Sequence, residues 1–207
     1  MHLQKKMIHK KTIITGAVLL IFLLIFLFLF LYRGEVLPSA PAVTVETPVK
    51  MEEKDREPFS LELQLTSLGE AVYPAASFNI SFDPAKLEFL GISEGNVMIK
   101  SSESASGTAM PEWSVNAERA NETGMINIMY IDMTGGKNAF SKELLQDWGN
   151  VLLLLDFRLR GSVRAGDILE LSLDDAVFAA SDEAESLSRT AGTLRTVNGR
   201  IVIGDSK

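Results

Sequence analysis

The side chains in this chain best suited to chemistry are carboxylates in two clusters: Asp174 with Asp175, and Asp182 with Glu183 and Glu185. Paired carboxylates hydrolyse glycosidic bonds when they sit about 5–10 Å apart across a cleft, and clustered ones bind calcium. Adjacent residues of a strand point to opposite faces, so Asp174 and Asp175 can cooperate only where the chain turns. Both clusters read as loop acids. Calcium is the one ion they leave open, and no other cofactor is expected. Nucleophilic chemistry lacks its parts, because both histidines, His2 and His9, fall in the first few residues and the chain has no cysteine. The segment 57–207 therefore holds no Ser-His-Asp or Cys-His relay and no usual zinc ligand set. The expectation is a protein that is not an enzyme.

Binding is the remaining class. Nucleic acid is excluded by charge: residues 57–207 carry 22 Asp and Glu against 12 Lys and Arg, a net of −10, whereas phosphate recognition needs a basic surface. Polysaccharide is a rival ligand if aromatic rings form a flat strip. The candidates beyond the first apolar run are Trp113, Trp148, Tyr73 and Tyr130 with several phenylalanines. A tryptophan in a sandwich packs into the core or an edge more often than it forms such a platform. Arg158 and Arg160 share one strand face and balance acidic neighbours.

The elements that must position these groups begin with a membrane span. Residues 13–32 form an unbroken apolar run, preceded by Lys5, Lys6, Lys10 and Lys11 and followed by Arg33. A helix of about twenty residues crosses a hydrocarbon core of about 30 Å. The lysines keep residues 1–12 in the cytoplasm and place the rest outside the cell membrane, a single-pass topology with an extracellular C-terminal domain. Ala40 and Ala42 frame Pro41 in an Ala-x-Ala cleavage pattern, but about ten residues beyond the run, so a retained anchor is the favoured reading. Residues 33–56 contain three prolines and a charged cluster and read as a flexible stalk. Residues 57–204 form the domain and 205–207 a short tail.

Within 57–204 the apolar period is two. Leu61, Leu63 and Leu65 alternate with polar residues, as do Phe78, Ile80 and Phe82; Ile126, Ile128 and Tyr130; Leu153, Leu155, Phe157 and Leu159; and Leu169, Leu171 and Leu173. Leu87 with Phe89 and Ile201 with Ile203 continue the pattern, and further strands are expected over 113–117 and 177–180. Turn residues separate them at Asp83-Pro84, Gly95-Asn96, 121–124, Gly135-Gly136, Gly166-Asp167 and Asn198-Gly199. Without alternating long helices, eight or nine strands predict an all-β antiparallel sandwich. One short helix, or a docked loop, is expected at 141–148, with Ser141 as its N-cap.

Several segments resemble the cohesin domain family. Residues 76–92, ASFNISFDPAKLEFLGI, look like an apolar strand running into an aromatic-Asp-Pro turn and a Leu-Glu-Phe strand. MINIMYIDMTGG at 125–136, VLLLLDFRLR at 151–160, AVFAAS at 176–181 and NGRIVIG at 198–204 are similar to later cohesin strands, in the same order. The resemblance implies a nine-stranded jelly-roll sandwich. It also implies a partner: a dockerin, a small calcium-loaded helical module carried by a cell-wall-degrading enzyme, bound on one sheet face. The implied contact positions are Ser77, Asn79, Ser81, Asn127 and Met129. A dockerin-type or other envelope protein is thus the expected partner, with polysaccharide binding or a structural envelope role as alternatives.

Overall fold

Alternation of apolar and polar residues obliges each strand to bury one face, and this chain does so by stacking two sheets. The computed structural model describes residues 41–66, 68–97, 112–147, 149–181, 188–190 and 192–205, which lie in the compact unit Ala40–Lys207. Its strands are β1 (Ala42–Val45), β2 (Val49–Glu52), β3 (Phe59–Leu65), β4 (Ala75–Ser81), β5 (Leu87–Glu94) and β6 (Trp113–Ser114). After helix α1 (Ala117–Thr123) come β7 (Met125–Ile131), β8 (Asn150–Leu159), β9 (Ile168–Ala179), β10 (Arg195–Val197) and β11 (Gly199–Gly204). One sheet has five strands in the order β10-β1-β3-β8-β5, the other six in the order β2-β11-β9-β4-β7-β6.

The inward positions are those that the period selected. Leu61 and Leu63 of β3, Phe78 and Ile80 of β4, Ile126 and Ile128 of β7, Leu155 and Phe157 of β8 and Leu171 of β9 are all fully buried between the sheets. A tight aromatic cluster closes one end of this core. Trp113 and Tyr130 have ring centroids 4.8 Å apart, Tyr130 and Phe140 4.7 Å, and Phe140 and Phe178 5.4 Å. Ring pairs at these separations add dispersion and quadrupole attraction to the burial itself.

Several expectations need correction. The sandwich starts earlier than residue 57, because part of the expected stalk forms β1 and β2. Val43 and Val45 are fully buried, and β1 lies inside the five-stranded sheet between β3 and β10. The prolines do not prevent this: Pro41 and Pro48 flank the strand rather than interrupt it, where a missing N–H costs no ladder bond. Nor is the sandwich nine-stranded or wholly antiparallel. Eleven strands occur among the described residues, and β1 with β10 and β2 with β11 pair in parallel.

The expected strand at 113–117 is only Trp113–Ser114, followed by α1. That helix is short but well capped. Asn116 Oδ1 accepts the N–H of Arg119 at 2.9 Å, and Gly124, at φ 72°, donates its N–H to Ala120 O at 2.8 Å. The sequence signals at 121–124 mark its C-terminal stop, not a simple turn. At 141–147 the alternative to a helix prevails. Ser141 O accepts the N–H groups of Leu144 and Leu145 in a single turn, which docks Leu145 onto the core. The two strands expected at 169–173 and 177–180 are one strand, β9, interrupted by a bulge. Among the described residues no helix is long and apolar enough to cross a membrane. The apolar run 13–32, the N-terminal segment with His2 and His9, Trp148, Asp182, Glu183 and Glu185 lie outside the described residues.

Candidate binding face on the six-stranded sheet

β4 and β7 are antiparallel neighbours near the middle of the six-stranded sheet, and their register brings the five implied contact residues together. Ser77 is opposite Met129, Asn79 opposite Asn127, and Ser81 opposite Met125. Because Phe78, Ile80, Ile126 and Ile128 point inward, the intervening residues all point to the outer face. On the other side of β4, the same row continues onto β9, where Ser77 faces Val177, Asn79 faces Asp175 and Ser81 faces Ser172.

This face has three bands of different chemistry. The central strand is a floor of small polar groups: Ser77, Asn79 and Ser81. Along β7 runs an apolar ridge of Met125, Met129 and Ile131, each between two-fifths and just over half exposed, broken by Asn127. Along β9 stand Asp174 and Asp175. The bulge explains their common side: the register shifts between Asn79 and Ile80, so Asp174 is an extra residue between Leu173 and Asp175. Leu173 and Ala176 are buried on either side, while both aspartates face outward. The Ser81 hydroxyl donates a hydrogen bond to the Asp174 carboxylate. The sequence argument that adjacent aspartates must diverge thus fails here, for the reason a bulge always defeats it: one added residue resets the alternation.

The ridge extends past the sheet into a braced loop. Asp132 accepts the Thr134 N–H at 2.8 Å, the Thr134 hydroxyl at 2.5 Å and the Gly136 N–H at 2.5 Å. Burial raises the Asp132 carboxyl, but hydrogen bonds from Thr134, Gly136 and Asn138 outweigh it and hold the group below its ordinary value. Beneath the loop, Tyr130 donates its hydroxyl to Asn138 O at 2.6 Å, and the buried Asn138 amide forks onto both Glu112 carboxylate oxygens at 3.0 and 3.1 Å. Desolvation first, then the charges of Glu112 and Asp132, push the Tyr130 phenol well above its ordinary value, so it stays a donor. The turn presents Met133, which is 77% exposed.

Of the exposed apolar positions along this face, Met125, Ile131 and Met133 are not among the contact positions expected from sequence, although Met125 and Ile131 share the period of Asn127 and Met129. The aromatic platform is not formed by Trp113, which sits in the core against Tyr130, Phe78 and Phe140. Tyr73 and Tyr130 are also buried, and the large apolar side chains exposed among the described residues are aliphatic or methionine. No group of three or more His, Asp or Glu that could hold a metal ion occurs among the described residues. An open cleft at the β2–β11 edge gathers Glu52 and Asp55. Both are already engaged there, Glu52 with Lys54 at 3.2 Å and Asp55 with the Glu52 N–H at 2.9 Å.

The fold defines a class: a β-sandwich module built from two stacked sheets. The Cohesin domain family model matches residues 44–198, and the chain belongs to the cohesin domain family. Members of that family are non-catalytic protein-binding modules. Among solved structures, the seventh ScaB type I cohesin of Pseudobacteroides cellulosolvens is 14% identical, with a TM-score of 0.59 over 81% of this chain and 94% of that one. A type I cohesin–dockerin complex of Clostridium thermocellum gives 15% identity and a TM-score of 0.59, covering 80% of this chain and 99% of that one. A non-cellulosomal cohesin of the archaeon Archaeoglobus fulgidus gives 13% identity and 0.51, covering 80% and 91%. At such identities the likeness is one of fold. No curated protein matches the chain.

Proposed function

We propose that this cohesin-family chain is a membrane-anchored docking receptor that binds a dockerin-type protein on the β9-β4-β7 face outside the cytoplasmic membrane. The observation that carries the docking reading is the register of β4 against β7, which gathers Ser77, Asn79, Ser81, Asn127 and Met129 on one face beside exposed Met125 and Ile131. An apolar ridge next to a low floor of small side chains suits an amphipathic helix laid across the strands. The aspartates on β9 favour a basic residue on the helix edge that meets them. Cohesins of the same fold appear in complex with dockerins from Clostridium thermocellum and Acetivibrio cellulolyticus, which supports a protein partner of that kind. Anchoring rests on the apolar run 13–32 and its flanking lysines.

The test is capture of a partner from the envelope and secreted fractions of the source organism by the full chain in detergent, with and without a calcium chelator. A single protein retained only with calcium is the expected result. Met129→Lys should abolish that retention while leaving the melting curve within about 0.5 kcal/mol, because the site is an exposed strand position. Retention unaffected by Met129→Lys would move the interface to another surface.

A further inference from the structure

The outer face of β7 is unusual in where it puts sulfur. The chain has eight methionines and no cysteine, so every sulfur atom it offers is a thioether. Four methionines lie among the described residues: Met51, Met125, Met129 and Met133. Met51 packs against the core. The other three come from one strand and the turn after it, and are 41, 53 and 77% exposed. Their neighbours leave them uncovered. Met129 lies between Ser77 of β4 and Ser114 of β6, and Met125 is opposite Ser81. Met133 is held out by the Asp132 turn, so its exposure is set by hydrogen bonds to Thr134 and Gly136.

We propose that Met125, Met129 and Met133 form a reversible oxidation site through which hydroperoxide-class oxidants switch off docking on this face. The consequence for docking rests on the function proposed above; the modification site does not. The chemistry is complete within the thioether and the oxidant. A sulfur lone pair attacks one peroxide oxygen, the S–O bond forms as the O–O bond breaks, and the proton on the transferred oxygen passes to the departing one. Sulfur is oxidised by two electrons to the sulfoxide, and the peroxide is reduced to water or an alcohol. No charge is added, but a flexible apolar side chain becomes a polar one. Since the floor beside the ridge is serine and asparagine, oxidation leaves Ile131 and Val177 as the larger apolar side chains beside that floor. With no cysteine in the chain, no thiol of its own diverts the oxidant first.

The experiment treats the full chain in detergent with hydrogen peroxide and maps sulfoxides by peptide mass over time. Met125, Met129 and Met133 should gain oxygen ahead of Met51, and a thiol-driven methionine sulfoxide reductase should reverse the change. Oxidation of Met51 at the same rate overturns the site. In parallel, reduced and oxidised chains, and a Met125→Leu/Met129→Leu/Met133→Leu chain treated identically, are used to capture the calcium-dependent partner. Loss of capture by the oxidised wild type and its recovery after the reductase, with no peroxide-dependent change in the leucine variant relative to its own untreated capture, supports the switch. Equal capture by oxidised and reduced wild type, or equal loss in the leucine variant, overturns it while leaving docking intact. If neither wild-type state captures a protein, the docking reading fails and the switch with it, and the peptide map alone decides the modification site.

Discussion

Replacing Asn121 with alanine removes one side chain that stands in for a missing strand. Asn121 lies on α1 beside β5, an edge of the five-stranded sheet. Its Oδ1 accepts the Phe89 N–H at 2.9 Å and its Nδ2 donates to Phe89 O at 2.7 Å, so it pairs with the strand as a peptide group would. A further bond ties Nδ2 to Ala117 O at 2.9 Å within the helix. The site is half-buried, so water recovers part of what is lost. Taking about 1–1.5 kcal/mol for each bond to Phe89 gives about 2–3 kcal/mol. Alanine returns about 0.5 kcal/mol through its better helix propensity. The net cost is about 2 kcal/mol, or about 4–8 °C in Tm for a domain of this size. Urea unfolding of the full chain, followed by tryptophan fluorescence, should show a lower midpoint at an unchanged slope. Asn121→Asp keeps the acceptor but sets a carboxylate against Phe89 O, so it should be at least as costly. A loss under about 0.5 kcal/mol for the alanine variant would refute the idea that Asn121 closes the strand edge.

A methyl group on Gly95 would lie 2.0 Å from Val151 O and 2.6 Å from Val151 C, both backbone. Gly95→Ala should therefore cost about 3 kcal/mol, at the upper end of overpacking, measured by the same urea melts. Asp132 makes acid stability sensitive to one loop. Its folded pKa lies below the ordinary value of 3.8, so its contribution is present above that value and lost as pH falls towards the depressed one. Asp132→Asn should flatten the stability slope below pH 3.8; an unchanged slope would assign it to other carboxylates, such as Asp167, which Lys86 holds down. Tyr130 acts at the other extreme. Its pKa is raised above 10.0, so its contribution is complete below pH 10.0 and declines as the pH rises beyond it and the unfolded phenol ionises. Tyr130→Phe should be less stable at neutral pH, having lost the bond to Asn138, and should lack that alkaline decline.

The strands of this sandwich could be read from alternation alone, because burying one face of a strand requires period two whatever the partner strand is. Phe78 and Ile80 on β4, or Leu155 and Phe157 on β8, needed no knowledge of the sheet to be placed inside. The cohesin-like segments follow one another in the fold as strands, and the register of β4 against β7 sets Ser77, Asn79 and Ser81 beside Asn127 and Met129. Local signals in the sequence also mark the helix and the ridge. Asn116 and Gly124 bracket α1 as caps, and Met125 and Ile131 share the phase of Met129.

Other features are set by contacts far apart in the chain. Val43 and Val45 look like part of a proline-bearing linker until β3 and β10 pair with their strand and Gly199 of the other sheet closes against Val45. The bulge that turns Asp174 and Asp175 to one side exists only as a mismatch of register between β4 and β9, a property of the pair and of neither strand. Trp113 offers the same side chain to a sugar platform as to a core; Phe78, Tyr130 and Phe140, converging from three other segments, decide for the core. Sequence by itself determined which residues must leave water, since apolar burial and backbone period act locally. Tertiary structure decided which outward residues meet, because that depends on strand order and register between segments tens of residues apart.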